Sequence, residues 1–183
     1  MLLNSRPSEV TIMQSDLIGI VALGVCSLAA GCASAPPPAT RAARVEQVQC
    51  DSSGTAQEAL VRSTKVLSVQ PLYSHIISGK TAEQRVDGAT LLVRPPQGVD
   101  AEQMTRILQC HSARVLLGQV NRDAVRNDPY WLPDSWVNIQ VKPESGNFAV
   151  TLSTDTVHDG LQVLGHANQY ADDHTLAAEP ELP

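Results

Sequence analysis

Aromatic side chains are scarce in this chain: one Phe, two Trp and three Tyr make up 3% of its 183 residues. With 43% hydrophobic residues overall, a core must rest on Val, Leu, Ile and Ala rather than on large rings, and wholesale disorder is excluded. Basic residues are few as well, 13 Lys and Arg against 19 Asp and Glu, for a net charge of −6. Scattered cations on an acidic chain leave no footprint for nucleic acid, so no such partner is expected. No apolar run reaches the ~20 residues of a permanent membrane span. The motifs of common chemistries are missing too, including GxSxG, SxxK, HExxH, paired CxxC and the Gly-rich phosphate loops. Neither a cofactor nor a metal is expected.

What is present begins with residues 17–31 (LIGIVALGVCSLAAG), an uncharged and mostly apolar stretch between Asp16 and Pro36-Pro37-Pro38. Its length suits the core of an export signal. Ala29, Ala30 and Gly31 lead into Cys32, and here the chain resembles the lipobox of bacterial lipoprotein precursors, with Leu28 one place further from the cysteine than usual. The resemblance implies that residues 1–31 are a removed signal peptide, that the Cys32 thiol carries a lipid, and that the new amine is acylated. Two or more acyl chains hold a protein stably on a bilayer, so the implied partner is a membrane, reached through the N-terminal lipid. In Gram-negative lipoproteins an aspartate after that cysteine retains the protein at the inner membrane. Ala33 stands there instead, which implies the outer membrane, with the domain in the periplasm or at the surface. Residues 32–43, rich in Ala and Pro, read as the lipidated N-terminus and an extended tether.

Of the four cysteines, Cys26 leaves with the signal and Cys32 is taken by lipid, which leaves Cys50 and Cys110. In an oxidising compartment such a pair is expected to be a disulfide, the alternative being two buried thiols. A third reading makes Cys110 a nucleophile with His111 as its base. Adjacent helical positions point about 100° apart, which suits that pairing poorly.

A single domain over 44–172 is expected, followed by a disordered acidic tail over 173–183. Asp100 is a helix N-cap with Gln103 in the reciprocal position, and Met104, Ile107, Leu108, His111 and Val115 form an apolar stripe that ends before Gly118. Residues 89–94 are β-prone. Residues 136–142 alternate, as do 148–153, across a turn at 143–147, which makes a hairpin. Thr156 caps a last helix with a stripe at Val157, Leu161, Leu164, Asn168 and Ala171. Earlier, a helix runs through Arg62 and an extended segment over 66–77 contains Pro71, which suits an edge strand. The expected class is α+β, a small and mostly antiparallel sheet with two helices packed on one face, in β-α-β-β-α order, preceded by the signal and tether.

Two places invite a functional reading. His111 lies within an apolar stripe, either as a core histidine bonded to a backbone carbonyl or as a ligand or pH-sensitive group in a pocket. Tyr130, Trp131 and Trp136 share one proline-broken loop with Leu132, either as a lid on the core or as a partner surface. The carboxylates Asp123, Asp128 and Asp134 read as solvated loop residues. The expected function is a non-catalytic binding or scaffolding module for an unidentified envelope protein or ligand. The alternative is a small envelope enzyme or a metal or ligand carrier centred on His111.

Overall fold

The computed structural model describes residues 35–51, 54–78 and 81–176, without side chains at 76–78, 81, 82, 175 and 176. Along the chain come α1 (Pro38–Gln49), α2 (Gly54–Ser63), β1 (Val66–Ser78), β2 (Thr81–Val93) and α3 (Ala101–Leu116). A 3-10 turn (Arg122–Val125), β3 (Asn138–Glu144), β4 (Asn147–Ser153) and α4 (Val157–Leu176) follow. The strands form one antiparallel sheet in the order β1-β2-β4-β3. The α+β class expected from the sequence is what the chain adopts.

Period-two alternation places Ala89, Leu91 and Val93 of β2, Ile139 and Val141 of β3, and Phe148, Val150 and Leu152 of β4 on the buried face. They share one core with Met104, Ile107 and Leu108 of α3 and Val163, Ala167 and Tyr170 of α4, so both helices cover the same side of the sheet. On the other side Asn138, Gln140 and Lys142 of β3 are exposed. The β3–β4 hairpin pairs Ile139 with Leu152 and Val141 with Val150. Ser145 and Gly146 turn it with φ of 48° and 80°, the left-handed pair of a two-residue I′ turn. Both strands therefore run further into the expected 143–147 turn than the composition indicated.

α3 starts and stops where its signals stand. The Asp100 carboxylate accepts the Gln103 N–H at 2.7 Å. At the other end the N–H groups of Gly118 and Gln119 donate to the carbonyls of Val115 and Arg114, a Schellman closure. Every residue of the expected stripe is buried.

Four expectations need correction. The tether does not extend to residue 43, because Pro38 opens α1. Proline suits a first helical turn, where its missing N–H has no partner to lose, and Ala42 is fully buried in a cluster with Ala113 of α3. β2 begins at Thr81 rather than 89, forming a long hairpin with β1, although β1 itself is the expected edge strand. In α4, Val157 and Leu161 are exposed, and the inward positions are Gly160, Val163, Ala167 and Tyr170. Gly160 sets this rotation, since a β-carbon there would lie 2.6 Å from the Val86 carbonyl oxygen; only a residue without one lets the helix reach β2. Finally, α4 continues over 173–176, and residues 177–183 of the expected tail lie outside the described residues.

Two glycine substitutions in α4 should act in opposite directions. Gly160→Ala drives a methyl into β2 backbone and is expected to cost about 1–3 kcal/mol. Gly165→Ala meets open space and should stabilise by roughly 0.5–1 kcal/mol through helix propensity. Urea unfolding of both variants checks the pair.

Candidate functional site

Three neighbouring side chains on α3 converge on the N-terminal helices. Cys110 is joined to Cys50 by a disulfide across a Cα–Cα distance of 5.6 Å, so the expected pairing is present and Cys110 has no thiol to act as a nucleophile. Arg114, one turn on, donates Nη1 to Gln57 Oε1 at 2.9 Å and Nη2 to the Asp51 carbonyl at 2.8 Å, and its Nε lies 3.4 Å from Glu46 Oε1. Between them His111, 1% exposed, reaches two carboxylates. Its Nδ1 lies 2.6 Å from Glu58 Oε2 on α2, and its Nε2 lies 2.6 Å from Asp128 Oδ2 in the loop after α3.

This arrangement fixes the charge state of the ring. Two carboxylate oxygens at hydrogen-bond distance each require an N–H, so the ring is an imidazolium. Burial alone would lower its pKa. The Asp128 charge and the hydrogen bonds from Asp128 and Glu58 oppose burial and raise the value to about 9. Asp128 is itself 5% exposed and accepts the Tyr130 N–H through Oδ1 at 2.8 Å. The solvated-loop reading of this residue is therefore wrong. Glu58 Oε1 is buried with no hydrogen-bond partner among the described residues.

The backbone-carbonyl reading of His111 does not hold, because two carboxylates take the place of that single partner. The ring is 1% exposed, so its titration acts through the interior and not through a pocket that it lines. Two clefts approach the carboxylates from outside. One of about 190 Å³ reaches Asp128 past Arg62, Arg126 and His174, and one of about 420 Å³ reaches Glu58 past Arg62 and Asn121. His111 lines neither, and with both nitrogens engaged it offers no atom to a ligand or metal. Among the described residues no group of three or more His, Cys, Asp or Glu side chains is placed to hold a metal ion.

The aromatic loop is a lid. Tyr130 is fully buried, edge-on to His111 and to Tyr170, and the Tyr170 hydroxyl donates to the Val61 carbonyl at 2.8 Å. Burial pushes both tyrosine hydroxyls well up from their ordinary pKa, and the nearby Asp128 charge adds to it. Trp131 is 6% exposed, and its Nε1 donates to the Val125 carbonyl at 2.9 Å. Trp136 is half-buried against the cluster that contains Trp131. Tyr130 and Trp131 are thus withdrawn from the expected partner surface, because the loop must cover the apolar flank of α3.

Uncommitted surface lies instead at the β1 edge, where Leu67 and Tyr73 are 40% and 48% exposed. The sequence offered the absence of charge in β1 as a signal for it. For Glu58 and Arg114 no local signal existed, since their partners lie tens of residues away.

Because the folded-state pKa of His111 stands above the ordinary 6.5, the stability it confers is complete below pH 6.5 and is lost as pH rises through about 9. Unfolding free energies measured between pH 6 and pH 10 should fall by roughly 3 kcal/mol in the native chain and show no such step in His111→Gln. Trp131→Ala is expected to destabilise by about 3–5 kcal/mol, a core effect that a surface residue would not give. Compared with known protein families, curated proteins and solved structures, the chain matches none.

Proposed function

We propose that the protein is an envelope lipoprotein, anchored by lipid on Cys32 at the outer membrane, whose domain is a non-catalytic binding or scaffolding module. The leader supports the anchor through its order of apolar run, small residues and Cys32. The Cys50–Cys110 disulfide suits an oxidising compartment. No helix among the described residues is long and apolar enough to cross a membrane, so the covalent lipid is the proposed means of attachment.

The helical start at Pro38 shortens the tether. The five residues between Cys32 and Pro38 make six Cα–Cα steps that span roughly 20 Å at full extension, so on this reading the domain would be held close to the lipid rather than lifted away from it.

One observation carries binding over catalysis. Glu58, His111 and Asp128 are spent on one another in the interior, whereas β1 pairs with β2 alone among the described strands and carries exposed apolar side chains at Leu67 and Tyr73. The alternative, an enzyme or carrier centred on His111, lacks a free ring nitrogen.

Metabolic labelling with a fatty acid checks the anchor. The native chain should take up label and sediment with membranes, and Cys32→Ser should lose both properties. Retained label in that variant contradicts lipid attachment at Cys32.

A further inference from the structure

α1 and α3 run antiparallel, because Glu46 reaches Arg114 while Cys50, further along α1, reaches Cys110, one turn earlier on α3. The start of α1 therefore lies at the finishing end of α3, and Ala42 and Val45 share a cluster there with Leu117, Val120 and Val125. Positive charge collects at the same end. Arg122 donates to the Val115 and Leu116 carbonyls at the close of α3, and Arg126 follows with its side chain 77% exposed. On α1, Arg41, Arg44 and Val48 are spaced i, i+3 and i+7, so they share one flank. Glu46 lies on the opposite flank, against Arg114, and Val48 is 73% exposed.

These cations are largely uncommitted. Among the described residues no carboxylate lies within ion-pairing distance of Arg41 or Arg44, and Arg126 meets Asp123 at 3.8 Å in open solvent. α1 also opens with no acidic residue in its first turn and no side-chain cap, so the positive end of its dipole adds to the same sign. On a chain of net charge −6, an anionic partner is repelled unless it meets this end.

The tether selects the partner. With lipid on Cys32, five residues before Pro38, α1 is the first folded element above the bilayer. The field of an anionic bilayer fades within about 8 Å at physiological salt, and a tether of roughly 20 Å keeps α1 returning to that layer, so a weak attraction suffices. Resting on the lipid-anchor reading, we propose that the exposed flank of α1, with the turn after α3, docks on anionic phospholipid headgroups of the bilayer that carries the lipid. Arg41, Arg44, Arg122 and Arg126 pair with the phosphates, and Val48 rests among the headgroups beside the aliphatic stems of the arginines. Each guanidinium close to such a surface strengthens association about fivefold, which holds the domain in one orientation.

The test uses the lipidated full chain in phosphatidylcholine vesicles with or without phosphatidylglycerol. A photo-crosslinking phenylalanine analogue replaces Val48, and lipid adducts at that position are measured by mass spectrometry. Phosphatidylglycerol is expected to raise the adduct at least tenfold, and molar salt should abolish the gain. Arg41→Gln, Arg44→Gln and Arg126→Gln combined should abolish it as well. Arg94→Gln, Arg106→Gln and Lys142→Gln combined remove the same charge from the end of β2, the first half of α3 and β3, and should leave the gain in place. Thermal unfolding of both variants confirms that the fold persists. Equal adducts on the two vesicles overturn the docking, and so does a gain that survives the first variant or is lost equally in the second. Flotation of the chain with both vesicles in those cases leaves the anchor reading standing. A chain that carries no lipid and floats with neither vesicle overturns the anchor reading and the docking with it.

Discussion

The imidazolium of His111 sits between carboxylates that reach it from 53 residues upstream and 17 residues downstream, and the rest of the fold closes around that charge. Moving three ionised groups out of water is costly, and only full mutual pairing offsets the cost. Losing one partner would strand the others, at about 3–5 kcal/mol. The arrangement therefore acts as a specification. α2, α3 and the loop through Asp128 must meet in one geometry or leave a buried charge unpaired.

This matters most where apolar burial is weakest. Only Ala42 of α1 and Val61 of α2 are fully buried, with Val45 and Leu60 partly buried beside them, a small apolar contact for two helices. Beyond the bond from Tyr170 to the Val61 carbonyl, attachment comes chiefly from α3. Cys110 fixes the α1–α2 junction covalently, His111 holds Glu58, and Arg114 gathers Glu46, Asp51 and Gln57. On the chain-entropy model a loop of this length makes the disulfide worth about 4 kcal/mol. The segment next to the proposed lipid anchor is thus tied to the most deeply buried helix.

Local signals in the sequence were read correctly where local physics decides the outcome. The Asp100 and Thr156 caps, the α3 stripe, the alternation of β3 and β4 and the edge character of β1 all depend on neighbours within a few residues. Composition misled at α1, where Pro and Ala suggest a linker and yet also make a good first turn. The α4 stripe is displaced because the close approach of Gly160 to Val86 and Asp87 sets the helix rotation more firmly than the hydrophobicity of Val157 and Leu161. His111 stood out in the sequence as a polar residue on an apolar face, but Glu58 and Asp128 did not. Their role exists only after α2 and the loop have folded onto α3. The aromatic loop shows the same limit, since rings that would serve an interface serve equally well as a cover.

The central claim, that α3 fastens α1 and α2 chiefly through Cys110, His111 and Arg114, is tested most directly by native-state amide hydrogen exchange. It should be measured on the oxidised chain and on the Glu58→Ala, Arg114→Ala double variant under reducing conditions, which lacks all three links. The account predicts that protection in α1 and α2 collapses in the second sample while the amides of α3 and of β2 and β4 stay protected. If α1 and α2 remain as slow to exchange as α3 once these links are cut, some other interaction holds them and the account is wrong.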